Sequence, residues 1–155
     1  MTSNASDARI AVVVSQYNAF VTDRLRDGAL AALSQAGVGA DRIEVLSVPG
    51  AYEIAQVARR AAETGRFDAV VCLGCVIRGE TAHFEYIASA AAHGIMQASA
   101  DTGVPMSFGV LTTDSVEQAL ARAAVGPDGK GWEAATTAVE MAGLFRRLDR
   151  VESNG

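Results

Sequence analysis

Four short apolar runs recur along the chain: Ile10–Val14, Ile43–Val48, Ala69–Ile77 and Met106–Leu111. Each is followed by a polar turn and then by a stretch with helical spacing. The first, third and fourth are nearly continuous in hydrophobic residues, as expected of strands covered on both faces in a parallel sheet. Helices are predicted near Val21–Ala36, Tyr52–Thr64 and Phe84–Thr102. A further one is predicted near Ser115–Ala123 and, after a Gly/Pro/Asp loop at Gly126–Gly131, a last one near Trp132–Leu148. On the first helix Leu25, Gly28, Ala29, Ala32 and Leu33 share one face, while Arg24, Asp27 and Gln35 point elsewhere. Gly37 and Gly65 stand where helix C-caps belong, and Gly103-Val104-Pro105 stops the third helix before a strand. Strands alternating with helices demand right-handed crossovers, so the fold class is α/β. The expected architecture is a three-layer sandwich around a four-stranded parallel sheet, with strand order 2-1-3-4.

Composition adds limits rather than chemistry. The 155 residues, half of them hydrophobic, suit one domain over 9–148, flanked by flexible segments at 1–8 and 149–155. Formal net charge is −5 and no block of Lys or Arg stands out, which argues against nucleic acid as a partner. No apolar run approaches the roughly 20 residues that span a bilayer, and Met1–Arg9 lacks the apolar core of a signal peptide. No membrane association is expected, and the cytoplasm is the default location. The two cysteines, Cys72 and Cys75, have C-x-x-C spacing, but residues three apart on a strand face opposite sides. With no second pair to complete a zinc site, they read as small buried residues and no metal is expected.

In an open parallel sheet, ligands bind beyond the carboxyl ends of the strands. After the first strand comes Ser15-Gln16-Tyr17-Asn18, and after the second Pro49-Gly50-Ala51-Tyr52-Glu53. The third leads into Arg78-Gly79-Glu80-Thr81-Ala82-His83, and the fourth into Thr112-Thr113-Asp114. Caps and turns account for Thr113, Asp114 and Ser115. An aromatic, a carboxylate and a histidine gathered on one edge point instead to a site.

Gly74 to Thr81 has the G-x-x-x-x-G spacing of a phosphate loop, but Glu80 occupies the lysine position and would repel a triphosphate. Backbone amides of Gly79–Thr81 opening a helix can still hold a single phosphate. A plain strand-to-helix turn would show the same spacing. His83 falls in the first turn of that helix. A helix start disfavours a positive side chain, which suits a histidine acting as a neutral base. His93, mid-helix with no motif around it, reads as structural or surface. Glu53 is either a first-turn acid or a carboxylate for substrate hydroxyls, and Tyr17 suits stacking on a flat ring. Spacing alone singles out neither Arg122 nor Lys130.

These stretches closely resemble the lumazine synthase family. The matching runs are Val48-Pro-Gly-Ala-Tyr-Glu53-Ile, Leu73-Gly-Cys-Val-Ile-Arg-Gly-Glu-Thr-Ala-His83-Phe-Glu-Tyr86 and Phe108-Gly-Val-Leu-Thr-Thr113. Glu117-Gln-Ala-Leu-Ala-Arg122-Ala and Lys130-Gly-Trp-Glu-Ala-Ala complete a resemblance covering about Arg9–Leu148. The resemblance implies a flavodoxin-like fold, its sheet open to extension by an N-terminal segment of a neighbouring subunit. It implies a condensation of 5-amino-6-(D-ribitylamino)uracil with 3,4-dihydroxy-2-butanone 4-phosphate, the penultimate step of riboflavin biosynthesis, with no cofactor.

It further implies His83 as the proton-transfer residue and Tyr17, with Asn18 beside it, as the platform stacking on the pyrimidine. Ala51, Tyr52 and Glu53 would contact the ribityl chain, and Cys75, Val76 and Ile77 would line the ring pocket. Gly79, Glu80 and Thr81 would form the phosphate turn, the Glu80 side chain pointing away. Phe108, Lys130 and the phosphate-binding Arg122 would come from a neighbouring subunit of a homo-oligomer, a pentamer or 60-subunit shell, with riboflavin synthase as a further partner. The chain departs from the family's habit at Gln16, Tyr17, Cys75 and Gly126-Pro-Asp-Gly129. The alternative is a riboflavin- or lumazine-binding shell protein without catalysis; a riboflavin synthase of the same fold fits the motifs less well.

Overall fold

Four parallel strands, β1 (Ile10–Ser15), β2 (Ile43–Val48), β3 (Ala69–Ile77) and β4 (Met106–Thr113), form one sheet in the order β2-β1-β3-β4. A computed structural model describes residues 7–154 of the chain, the side chains as far as Arg150. Helices α1 (Ala19–Gln35), α2 (Ile54–Glu63) and α3 (Phe84–Thr102) connect successive strands, and α4 (Val116–Arg122) and α5 (Lys130–Asn154) follow β4. The expected class and strand order are both present. The segment expected to extend the sheet of a neighbour, within residues 1–8, lies outside the described residues as far as residue 6.

The two central strands, β1 and β3, are buried at every position, which is why their sequences do not alternate. The edge strand β2 is only partly covered and carries Glu44 and Ser47 among its apolar residues. One face of the sheet packs on α1, α4 and α5 through residues such as Val12, Leu73, Leu25, Leu33 and Ala135. The other packs on α2 and α3 through Val13, Val70, Ile54, Ala58 and Ile95. Each fully buried Leu, Ile or Val on these faces contributes roughly 1.5–3 kcal/mol. The predicted apolar face of α1, Leu25 to Leu33, is the buried one. Cys72 and Cys75 are free, buried, and lie on opposite faces of the sheet.

Boundaries shift where local hydrogen bonds override the periodicity. The segment expected to open the second helix, from Tyr52, is instead a 3-10 turn over Ala51–Glu53, closed by the Glu53 N–H on the Gly50 carbonyl at 3.1 Å. Strand β4 runs on to Thr113, paired with Ile77 of β3. Helix α5 starts at Lys130 and continues past the expected end at Leu148. Thr113 and Ser115 behave as caps. The Thr113 hydroxyl donates to the Ser115 carbonyl at 2.9 Å, and Ser115 Oγ accepts from the Gln118 N–H at 3.1 Å. Gln118 Oε1 accepts in turn from the Asp114 N–H at 2.8 Å.

Candidate active site

A cavity of about 540 Å³ opens beyond the carboxyl ends of β1, β2 and β3, where the strand order reverses between β1 and β3. Tyr17, Pro49 to Glu53, Cys75 to Ile77, Glu80, Thr81 and Ile87 line it. The β1–β2 ladder runs past the strands here: the Gln16 N–H donates to Val48 O at 2.7 Å and the Tyr17 N–H to Pro49 O at 3.0 Å. That rail fixes the Tyr17 backbone at the rim. Its side chain stays 57% exposed, available to a flat ligand rather than committed to the core. Across the opening Tyr52 is 58% exposed, while Ala51, Val76 and Ile77 form a buried apolar floor.

Glu53 stands at the N-cap of α2 yet its side chain makes no capping hydrogen bond. Its carboxylate lines the cavity beside Gly50, where a Cβ would meet Glu53 Oε1 at 3.3 Å. Glu53 thus lines the cavity and does not cap α2 through its side chain.

Asn18 holds the one positive φ of a non-glycine residue among those described, 64°, at the N-terminus of α1. Asparagine tolerates that conformation better than most residues. Its side-chain nitrogen donates to Cys75 O at 3.1 Å and to Glu80 Oε1 at 2.9 Å. The amide expected to serve substrate is therefore engaged by the protein. Glu80 turns its carboxylate inward, against the end of β3, instead of simply away from the site. That carboxylate adds to the burial that pushes the Cys75 thiol up to about 12.

The turn between β3 and α3 leaves backbone N–H groups without acceptors among the described residues. Gly79, at φ 94°, takes a conformation that only glycine adopts freely. Glu80 N–H donates weakly back to Ile77 O at 3.3 Å, and the His83 N–H to Thr81 Oγ1 at 3.1 Å. The N–H groups of Gly79, Thr81 and Ala82 donate to no acceptor among the described residues. Arg78 clamps the outside of the turn: Nε donates to Asp114 Oδ1 at 2.9 Å, and the guanidinium lies 4.6 Å from the Phe84 ring centroid. Nothing in the spacing pointed to that clamp. His83 immediately precedes α3, exposed, its ring 6.4 Å from that of Tyr86. It sits beside the cavity rather than in its lining. Ile87, which does line it, accompanies His83 at helical spacing and was not expected.

Phe108, Arg122 and Lys130 do not join this cavity. Phe108 lies on β4, 40% exposed, in a separate groove with Ile95, Met96 and Met106. Lys130 Nζ binds Glu133 Oε1 at 2.7 Å. The ammonium beside it holds the Glu133 carboxyl below its ordinary range, and Arg122 is close enough to add to the effect. The two cations thus share one patch, away from the residues they were expected to serve.

Among the described residues no cluster of His, Cys, Asp and Glu could hold a metal ion, and no helix is long and apolar enough to cross a membrane. A family profile for 6,7-dimethyl-8-ribityllumazine synthase matches residues 7–146. A protein of that name from Syntrophus aciditrophicus (strain SB) is 50% identical over 144 residues, 93% of this chain and 94% of the relative. One from Chlorobium luteolum (strain DSM 273) is 46% identical over 145 residues, 94% of each chain. With nearly the whole chain matched and the cavity built from the motif residues, this protein belongs to the 6,7-dimethyl-8-ribityllumazine synthase family.

Proposed function

We propose that the chain catalyses its family's reaction with the cavity at the β1–β3 switch point as one half of the site. It condenses 5-amino-6-(D-ribitylamino)uracil with 3,4-dihydroxy-2-butanone 4-phosphate, giving 6,7-dimethyl-8-ribityllumazine, phosphate and water. The observation that carries this reading is the convergence of Tyr17, Glu53, Val76 and Thr81 on one cavity, with backbone N–H groups of the adjoining turn left without acceptors among the described residues.

Tyr17 stacks on the pyrimidine over the floor formed by Val76 and Ile77. Glu53 accepts from ribityl hydroxyls, with Ala51 and Tyr52 flanking the chain. The free amides at the start of α3 hold the phosphate. Imine formation and ring closure need proton transfers, which His83 performs from the rim. The departing phosphate needs a second, cationic clamp, and Arg122 of a neighbouring subunit supplies its planar fork. Phe108 and Lys130 arrive the same way. Much of the acceleration comes from holding two substrates in one orientation.

The separation of cavity and cations supports a shared site, and the exposed groove around Met96 and Phe108 suits burial between copies. We therefore place the chain in pentamers, free or closed into a 60-subunit shell. A cytoplasmic setting, with riboflavin synthase consuming the product, completes the reading. Purified protein given both substrates should form the fluorescent lumazine faster than the spontaneous reaction; equal rates would overturn the assignment.

A further inference from the structure

An anion-binding turn with a carboxylate at its centre poses an electrostatic problem. Glu80 sits between Gly79 and Thr81, the two residues whose N–H groups are free to meet a phosphate. A mobile side chain there would bring its negative charge to the ligand. In this structure the exposed Glu80 carboxylate is held by Asn18. Asn18 donates one amide hydrogen to Cys75 O on β3 and one to Glu80 Oε1 in the turn that follows. The contact joins residues 62 positions apart, bridging the turn after β1 to the turn after β3.

We propose that Asn18 is a positioning residue that latches the Glu80 carboxylate against β3 and so keeps the phosphate turn receptive to a dianion. The inference rests on the phosphate role given to that turn in the proposed function. Asn18 suits the task on two counts. It tolerates a φ of 64°, which lets α1 start directly after the Tyr17 platform. Its neutral amide binds a carbonyl and a carboxylate together, which Asp could not do without repulsion. The loop that carries the aromatic platform therefore also controls the charge facing the phosphate.

The test is a four-cornered cycle in the full-length, assembled protein: wild type, Asn18→Gly, Glu80→Gln and the double variant. Glycine keeps the left-handed backbone at no steric cost and removes only the amide. The dissociation constant for inorganic phosphate is measured by titration, alongside KM for each substrate. Asn18→Gly should weaken phosphate binding and raise KM for the phosphorylated substrate about tenfold, the Coulomb cost of a carboxylate about 6 Å from a phosphate in a half-wet site. KM for the pyrimidine should change by less than about twofold. Glu80→Gln in the Asn18→Gly background should restore phosphate affinity, because the freed side chain then carries no charge. A merely structural role would give no such rescue. Loss without rescue, or a loss confined to the pyrimidine, would overturn the latch. Because phosphate affinity is read without turnover, an absent synthase activity with an intact cycle would sink the function and leave the latch standing.

Discussion

A Cβ placed on Gly131 would run into the backbone carbonyl oxygen of Leu25. The obstacle is backbone of α1, not a side chain that can swing aside, so α1 and α5 approach each other only because position 131 is bare. Gly131→Ala should force the helices apart and lower stability by about 3 kcal/mol, a fall in Tm of roughly 10 °C. Scanning calorimetry reads it directly. An unchanged Tm would mean that the first turn of α5 yields easily. The same displacement would move Lys130, so activity should fall further than stability alone explains.

Replacing His83 with Ala should lower kcat by about 10²-fold, the usual contribution of a positioned acid–base group. His83 is exposed and its ring packs only loosely near Tyr86. Assembly mass in the ultracentrifuge should therefore be unchanged. Dissociated subunits, or full activity, would contradict the proton-transfer role.

Subunits inactivated separately should complement each other. A protein refolded from equal amounts of His83→Ala and Arg122→Ala chains contains sites that pair an intact His83 with an intact Arg122 across the interface. Random mixing predicts roughly a quarter of wild-type activity, against near none for either parent. No recovery would place both groups within one subunit's site.

Burial pushes the thiols of Cys72 and Cys75 up from 9.0 to about 12. Neither should react with a disulfide reagent at pH 8 until the protein is unfolded. The raised folded value also fixes a sign. The neutral thiols favour the fold fully below pH 9, and that stability is lost as pH rises toward 12. The urea midpoint should fall across this window, and Cys72→Ala should flatten the fall. A slope unaffected by the substitution would assign it to other groups.

Much of this was legible in sequence because it depends on period. The continuous apolar runs of β1 and β3 announce strands covered on both faces. Three-residue spacing alone separates Cys72 from Cys75 across the sheet. Local chemistry also spoke: Thr113 and Ser115 read as caps, and Gly79 with its neighbours as a strand-to-helix turn. The contacts of Asn18 with Glu80 and of Arg78 with Asp114 leave no such trace. Each joins distant loops through one flexible side chain, and no periodicity encodes the meeting. The start of α2 was misread because the Gly50–Glu53 hydrogen bond tightens a segment whose composition is helical. Arg122 and Lys130 were unremarkable for another reason. Nothing near them in their own chain gives them a ligand, and only the resemblance marked them.

The distance between the cavity and the Arg122–Lys130 patch carries a genetic consequence. With sites built across interfaces, a subunit that folds and assembles without Arg122 disables its neighbour's cavity and leaves its own intact. In a cell expressing two alleles, such a chain silences half of the normal cavities, but its own cavities are served just as often by normal neighbours. Losses and gains cancel, so an assembly-competent missense change at Arg122 should be no more dominant than a deletion. Paired with a His83 missense allele, it should restore part of the activity that neither allele has alone.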